Sequence, residues 1–375
     1  MCSHDQLEEP RMKTITLFAA TLALGAACKK EKEEAPAAAP MGSATMAAGN
    51  GSSALAIVPK PLTAEDMVKR VHECAAFWNA GKWDDLQRCY TTDAGYEAPG
   101  GELPLITGSA AIVELAKSER AAFPDQKAED QLLLVNGKRA VALTLVTGRN
   151  TGALKLPLGE LPASYNTVGF FRGQVLYFDD TGKIAHEADF YDIATELGQL
   201  KPTKEHPVRP AMDKLAFPAM DLIGKDDATE KANLAAFQQL TDHFNKHDAK
   251  GVGELIAEDG TWSEQPRPKD LTKNELIAEL PTLWKGFSDL KFAVADARTA
   301  GDYVAALETF TGTNDGDIGP MHVKKTGKKV SLPFLAIHKF EGGKVKSTWI
   351  LSPGLGLVSQ LGLASNSAAK PAERK

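Results

Sequence analysis

The chain contains the same long segment twice, and this repeat constrains its fold more than any other feature. The stretch Glu65–Leu200 recurs, diverged but in register, as Lys231–Leu363. Phe-Pro-Asp at 123–125 returns as Phe-Ser-Asp at 287–289, and Gly-Lys-Ile at 182–184 returns as Gly-Lys-Val at 343–345. Solenoid units usually span about 20–50 residues, so a repeat of this length predicts two domains of one fold.

The N-terminal region has the layout of an export signal. Met12-Lys13 is followed by a short apolar run that ends in the small residues Gly25-Ala26-Ala27. This run is typical of a secretory signal peptide and is too short for a secure membrane span, which needs about 20 apolar residues. The acidic residues before Met12 suggest that Met12 is the true start.

Cys28 directly follows the small residues, an arrangement similar to the lipobox of bacterial lipoproteins. We therefore expect lipidation of Cys28, with ordinary signal cleavage as the alternative. Lys29 and Lys30 follow the cysteine with no Asp, which by the same resemblance favours outer-membrane sorting. The predicted location is exported and lipid-anchored, at the periplasmic face or the surface of the outer membrane.

The composition along the chain predicts the domain boundaries. Residues 29–60 are a charged run followed by Ala, Pro, Gly and Ser, which cannot bury a core and is expected to form a disordered tether. We expect a signal region at 1–28, a first domain at 61–200, a linker at 201–228, a second domain at 229–365 and a disordered tail at 366–375. The chain carries 43 basic and 49 acidic residues without a dense basic cluster, so no nucleic-acid partner is expected.

Each repeat begins with helical patterns and ends with strand patterns. Met67, Val71 and Cys74 fall at helical spacing after a candidate N-cap, Thr63, and the helix is predicted to end at Gly81. Later segments rich in β-branched and aromatic residues are separated by Gly and Asp, as strands are. This order predicts an α+β class, with N-terminal helices packed on a curved antiparallel sheet in each domain.

The order of short motifs resembles the nuclear transport factor 2-like superfamily and, within it, the SnoaL-like polyketide cyclases. In the first repeat the resemblance rests on Asn79-Ala80-Gly81, Tyr96-Glu97-Ala98-Pro99, Phe123-Pro124-Asp125, the Gly148–Gly152 turn and the Gly182 segment that leads to Asp192. It implies two tandem cone-shaped domains, each with a ligand pocket inside the cone. No cofactor and no metal are expected.

The resemblance also implies a catalytic residue, Asp192, as the general base of a cyclase- or isomerase-type reaction. Strand parity places Ile184, His186, Ala188, Phe190 and Asp192 on one face, and this more apolar face is predicted to line the cone. Burial there would raise the pKa of Asp192 toward a useful range. The alternative is that Asp192 caps the following turn. The second repeat has Pro353 at this position, so any catalysis is expected in the first domain only.

Further residues are expected to line the ligand pockets because of their types and their positions in the repeats. They are His186, Phe190, Tyr96, Trp78, Asn150, Trp349 and Trp262. Core packing is the alternative for the tryptophans, and backbone geometry is the alternative for Asn150. His243 and His247 have the spacing of metal ligands, but without a third ligand a solvated surface pair is favoured.

Cys74 and Cys89 lie on two helices, on either side of the turn at Asn79–Lys82. In an antiparallel helical pair these positions face each other, and an exported protein enters an oxidising compartment. The sequence predicts a disulfide that stabilises the first repeat by about 3 kcal/mol, with two buried thiols as the alternative.

Three functions fit the sequence. The first is an exported lipoprotein whose cone binds a small apolar molecule and whose only membrane contact is its lipid anchor. The second is a cyclase or isomerase that uses Asp192. The third is a non-catalytic assembly module. In each case the two domains are expected to pair within one chain, or a homodimer to form.

Overall fold

The computed structural model describes residues 62–100, 103–156, 159–202, 208–214, 216–318 and 323–363. The predicted signal region, the lipidation site Cys28, the tether at 29–60 and the tail at 366–375 lie outside the described residues. Within the described part of the chain, no helix is both long enough and apolar enough to cross a membrane.

The first domain combines helices with a mixed, mainly antiparallel sheet. Its helices are α1 (Ala64–Ala80), α2 (Trp83–Arg88), α3 (Ser109–Ala122) and α4 (Ile193–Leu200). Its main sheet contains β1 (Tyr90–Glu97), β2 (Ile106–Thr107), β3 (Lys127–Asn136), β4 (Arg139–Arg149), β7 (Thr167–Phe178), β8 (Ile184–Phe190) and β9 (Met220–Ile223). A separate ribbon pairs β5 (Leu154–Leu156) with β6 (Gly159–Leu161). The strand order of the main sheet is β2-β1-β8-β7-β4-β3-β9.

Among the described residues, the second domain repeats this plan without the edge strand β9 and without the β5–β6 ribbon. Its helices are α5 (Ala228–Asn245), α6 (Ala249–Glu254), α7 (Lys273–Gly286) and α8 (Gly354–Gln360). Its sheet contains β10 (Ile256–Glu264), β11 (Leu271–Thr272), β12 (Lys291–Ala300), β13 (Tyr303–Thr313), β14 (Lys329–Glu341) and β15 (Lys344–Leu351), in the order β11-β10-β15-β14-β13-β12. The two domains confirm the predicted α+β class and tandem arrangement.

Local sequence signals explain where the first helix begins and ends. Thr63 accepts a hydrogen bond from the backbone of Asp66, and the Asp66 carboxylate accepts one from Thr63, which completes a capping box. Gly81 ends the helix with a φ of 65°, a left-handed conformation that glycine adopts without steric cost. The predicted helix boundaries are therefore confirmed.

Each sheet has buried side chains on both of its faces. In the first domain the helices cover the concave face, where Val71, Ile112, Leu133 and Leu176 pack together inside the cone. The second cone is filled by a larger apolar cluster that includes Phe237, Trp262, Trp284, Phe287 and Phe310. Because helices cover only one face of each sheet, the opposite faces need another cover.

The two domains provide that cover for each other. Leu143, Val175 and Phe190 of the first sheet form one buried cluster with Leu335 and Ile337 of the second. A Cβ atom added to Gly173 would lie 2.5 Å from both Leu335 and Leu351, so the glycine allows this close approach. At the edge of the cluster, Asn136 donates to the Thr299 carbonyl at 2.9 Å, and Arg139 pairs with Asp296.

The segment between the repeats contributes a strand to the first domain. Strand β9 pairs in parallel with β3, where Leu133 is the partner of Asp221. The side chain of Asp221 also accepts a hydrogen bond from His72 of α1 at 2.9 Å. The sequence predicted only a linker here. A four-residue segment of this composition forms a strand because it pairs with a neighbouring strand, and its own residue pattern does not indicate one.

The predicted partners Cys74 and Cys89 are joined by a disulfide, with a sulfur–sulfur distance of 2.07 Å. The bond ties α1 to the end of α2, and both residues are buried in the core of the first cone. A closed loop of this length should stabilise the folded state mainly by restricting the unfolded chain.

We expect reduction of this disulfide to lower the free energy of unfolding of the first domain by about 3 kcal/mol. Urea unfolding with and without reductant measures the effect, and Cys74→Ala/Cys89→Ala is the control that reductant should not change. Peptide mapping after alkylation adds a direct check, because free thiols at both positions in the unreduced native protein would contradict the pairing.

Candidate functional site

An extra residue in strand β8 decides which side chains face the first cone. His186 pairs with Tyr177 and Ile184 pairs with the next residue, Phe178, so that Ala185 is left over as a β-bulge. The second domain has the same irregularity, where Ser347 and Val345 pair with the consecutive residues Lys339 and Phe340. A one-residue shift exchanges the two faces of a strand.

The bulge makes the predicted strand parity wrong beyond Ile184. Ile184 belongs to the cluster inside the cone, but Ala188 and Phe190 belong to the cluster between the domains. Glu187 and Asp189 face the cone instead. The more apolar face is therefore buried, as expected, but against the second domain and not against a ligand.

The first cone contains a cavity of about 80 Å³, which we call the first chamber. It lies between the sheet and helices α1 and α3, and it has room for water molecules or a small ligand. Its apolar walls include Val71, Trp78, Leu115 and Leu176. Its polar groups come from Tyr90, Tyr96, Glu119, Asp130, Arg172, Gln174, Glu187 and Asp189.

One side of the first chamber is a closed hydrogen-bond network around Glu187. The Tyr90 hydroxyl donates to Glu187 at 2.6 Å, and the Gln174 amide donates to the other carboxylate oxygen at 2.8 Å. Thr144 donates to Asp130 at 2.6 Å beside them. These partners fix the orientation of the polar wall.

The other side of the chamber is less complete. Tyr96 donates to Asp189 Oδ2 at 3.3 Å, and Arg172 Nη1 lies 3.4 Å from the same oxygen. Asp189 Oδ1 and Arg172 Nε are buried and have no hydrogen-bond partner in the described part of the chain. Each unmet buried atom costs free energy, so this side of the chamber is suited to a ligand that offers a donor and an acceptor.

Burial shifts the ionisation of this cluster. Desolvation, together with the nearby Glu187, raises the pKa of Asp189 to about 8 against the opposing effect of Arg172. Burial alone would lower the pKa of the Arg172 guanidinium, but Asp189 and Glu119 outweigh this and raise it. The pKa of Glu119 is raised, chiefly by desolvation. The chamber thus holds a fixed cation beside the Asp189 carboxyl group, which exchanges its proton near neutral pH.

Asp192, the predicted base, lies elsewhere and has a structural role. It is the N-cap of α4, where its Oδ2 accepts hydrogen bonds from the backbone and the hydroxyl of Thr195 at 2.9 and 2.6 Å. Its Oδ1 accepts from the Gly354 backbone of the second domain at 3.1 Å. It lines neither of the two cavities described in this domain. Asp192 therefore caps a helix and joins the domains, the alternative that the sequence left open.

The other predicted pocket residues are divided by the structure. Tyr96 and Trp78 line the first chamber. Phe190 lies in the cluster between the domains, and Trp349 packs there with its ring 5.7 Å from that of Phe217. Their placement follows from the bulged parity of the last strand in each domain.

The remaining two candidates also have other neighbours. His186 lies 3.1 Å from Glu97 and meets the ring of Tyr177 edge-on. Trp262 is part of the filled second cone, where its indole donates to Glu264 at 3.1 Å. Neither lines the first chamber.

The side chain of Asn150 holds backbone segments together and does not line the chamber. Its amide donates to the carbonyls of Ala122 and Gly152, and its oxygen accepts from the backbone of Ser164. Asn314 makes the same set of bonds in the second domain, to Gly286, Gly316 and Thr326. The same turn is therefore held in the same way in both copies, which explains the residue without a ligand.

The second copy lacks the polar cluster. Arg172 pairs with Thr144 in the first sheet, and Phe334 pairs with Glu308 at the matching position of the second sheet. Phe334 is therefore the counterpart of Arg172. Likewise Ile350 stands for Asp189 and Thr348 for Glu187. The second domain thus lacks counterparts of Arg172 and Asp189, although it buries three other polar residues, Glu308, His338 and Thr348.

The histidine pair of the second domain is occupied by other contacts. His243 Nδ1 lies 2.8 Å from Asp248, and His247 stacks on Trp284 with ring centres 5.0 Å apart. Among the described residues no group of three or more His, Cys, Asp or Glu side chains is arranged to hold a metal ion.

The chain belongs to the family described as SnoaL-like polyketide cyclase, whose model matches residues 68–200 and 235–361. Among solved structures, AclR from Streptomyces galilaeus is 23% identical, with 36% of this chain and 98% of that chain covered and a TM-score of 0.33. A SnoaL-like protein from Jannaschia sp. CCS1 is 20% identical, with 39% and 100% covered and a TM-score of 0.34. Comparison with curated proteins gives no match.

Sequence reasoning missed Arg172, Asp189 and Glu187, which carry the polar cluster. Charged residues that alternate with apolar ones along a strand usually face solvent. Here both faces of the strand are buried. The charged face lines the first chamber and the apolar face packs against the second domain, which no local sequence signal reveals. The loss of the charged residues at the matching positions of the second repeat is the one available hint.

Proposed function

We propose that the first domain binds a small molecule with an apolar body and a polar head group in the first chamber. The unpartnered pair Asp189 Oδ1 and Arg172 Nε carries this proposal. A hydroxyl group can donate to a carboxylate oxygen and accept from a guanidinium, so it offers the two kinds of hydrogen bond that these atoms lack. The sequence predicted a small apolar ligand, and we now propose that this ligand also has a polar end.

We propose that the second domain supports this site through packing and does not bind a similar ligand itself. Its cone is packed with aromatic side chains, and its sheet covers the back of strands β7 and β8, which carry Arg172 and Asp189. A site built on strands that are packed on both faces is held rigidly, which favours precise positioning of polar groups.

A second candidate function is proton transfer in the same chamber, with Asp189 in the role first assigned to Asp192. The buried carboxyl group, with a pKa raised to about 8, supports it. Asp189 would take a proton from a carbon next to a carbonyl, and the electron pair would move to the carbonyl oxygen near Arg172. The carboxylate form is needed, so the rate should rise as pH passes through this pKa.

We also propose that the protein is an exported lipoprotein anchored through Cys28. The short apolar run from Thr14 to Ala27, the small residues before the cysteine and the polar tract after it support the proposal. A single tether would leave both domains free of other membrane contact.

Phenol and toluene test the binding proposal, since they differ in the hydroxyl group. In titration calorimetry at about pH 9, where Asp189 is ionised, we expect phenol to bind the wild type roughly 10–100-fold more tightly, because hydrogen bonds to charged partners contribute about 1.5–3 kcal/mol. Asp189→Asn should remove most of this preference. Asp192→Asn is the matched control, which should lower stability but keep the preference. Equal binding of the two compounds by the wild type would refute the proposal.

The proton-transfer hypothesis predicts hydrogen exchange in a bound ketone. We expect the wild type to speed deuterium uptake next to the carbonyl of 2-indanone in heavy water, followed by mass spectrometry. Removal of a general base costs roughly 10²–10⁴-fold, so Asp189→Asn should bring the rate close to the uncatalysed one. An unchanged rate in that variant, or loss of rate only in Asp192→Asn, would assign the chemistry elsewhere.

The anchor proposal predicts covalent lipid on Cys28. In cells grown with an alkyne-labelled fatty acid, the wild-type protein should be labelled and recovered with membranes. Cys28→Ser should be unlabelled, while Cys89→Ser, which changes a buried cysteine of the first domain, should stay labelled. Absence of label in the wild type would favour ordinary signal cleavage instead.

A further inference from the structure

The first domain contains another cavity, of about 70 Å³, which we call the second chamber. Leu115, Glu119 and Arg172 line both chambers, so these residues form the wall between them. Arg172 lies in this wall, and its ion-pair partner Asp189 lines only the first chamber. The second chamber is a separate site and does not depend on the ligand proposed for the first.

Glu119, Gln126 and Glu196 bring hydrogen-bond acceptors to the second chamber, and Ser118, Lys155, Arg172 and Tyr191 bring donors. Glu196 of α4 and Glu119 of α3 bring carboxyl groups to it. Gln126, whose side chain is only 5% exposed, lines the same space, and its Oε1 has no hydrogen-bond partner in the described part of the chain. A buried acceptor without a donor is costly, so a ligand with N–H groups would satisfy it.

The remaining walls are aromatic. Phe123, Phe170 and Tyr191 line the second chamber, and the rings of Phe170 and Tyr191 stack with centres 6.2 Å apart. The faces of aromatic rings attract cations, and this attraction grows where water is excluded. Lys155 is an exposed residue of the rim, and Arg172 Nη1 lies 3.4 Å from Asp189 Oδ2.

We propose that the second chamber binds a protonated amine on a short apolar stem. The ammonium group would donate to Gln126 Oε1 and to the carboxyl groups of Glu119 and Glu196, with its stem against the aromatic rings. Three donors on one cation match these acceptors in number, and its charge compensates the buried acids.

The site should also respond to pH. Burial, and next the nearby Glu119, raise the pKa of Glu196 to about 8, while Arg172 acts in the opposite direction. Lys155 at the rim and the Tyr191 ring are the other titratable groups of the chamber. Because a bound cation favours the carboxylate, binding should release a proton below this pKa, and affinity should rise with pH up to it.

Benzylamine and benzyl alcohol, a matched pair of charged and neutral probes, test the proposal in the intact protein by calorimetry. We expect benzylamine to bind, and its affinity to rise on the order of tenfold or more between about pH 6 and about pH 8.5. Glu196→Gln should lose at least tenfold in affinity along with the pH dependence. Glu160→Gln, the same change at an exposed residue of β6, should behave as the wild type.

Two further variants keep the test decisive. Gln126→Met removes the unpartnered oxygen at similar volume and should weaken benzylamine binding even if Glu196→Gln fails to fold. Tyr90→Phe changes a residue that lines only the first chamber and leaves Arg172 and Asp189 in place, so it should keep benzylamine binding. Equal affinity of the wild type for benzyl alcohol and benzylamine, or full binding by Gln126→Met, would overturn the proposal.

Discussion

The packing of the two sheets against each other is the contact on which the rest of the structure depends. Each domain has helices for only one face of its sheet, and the opposite face carries Leu143, Val175 and Phe190 in one copy and Leu335 and Ile337 in the other. Exposure of such a face would be unfavourable, since apolar burial contributes about 25 cal/mol per Å². The apolar residues of strand β8 lie in this contact between the sheets. The alternate residues of the same strand, Glu187 and Asp189, therefore point into the cone.

This division of the strand explains why buried charges line a cavity. Outside the cone, Phe190 and Ala188 complete the contact between the domains. Inside it, carboxyl groups that could not be solvated are held by Tyr90, Gln174 and Arg172. The bulge at Ala185 sets this orientation, and it occurs at the same place in the second domain, where Phe334 and Ile350 take the positions of Arg172 and Asp189. The bulge therefore belongs to the fold, and the chemistry depends on the residues placed around it.

The features that sequence reasoning predicted are those with local causes. The capping box of Thr63 and the left-handed Gly81 depend on residues three or four apart, and the repeat itself fixed the number of domains. The features it missed depend on distant partners. The bulge is visible only in the pairing of β8 with β7, and β9 exists because β3 offers a free edge. Asp192 was assigned by motif position, but the backbone N–H of Gly354, from the other domain, decides its role.

The second copy serves as an internal control for the cost of the polar cluster. Buried ion pairs seldom increase stability, because the loss of hydration offsets their attraction, and apolar replacements are often neutral or stabilising. Phe334 and Ile350 show that this fold accepts apolar residues at the positions of Arg172 and Asp189. The fold therefore does not need the charged pair in the first cone. A pair that is costly to bury and left with unmet hydrogen-bonding atoms, at positions where the second copy has apolar residues, supports the proposal that a ligand binds in the first chamber.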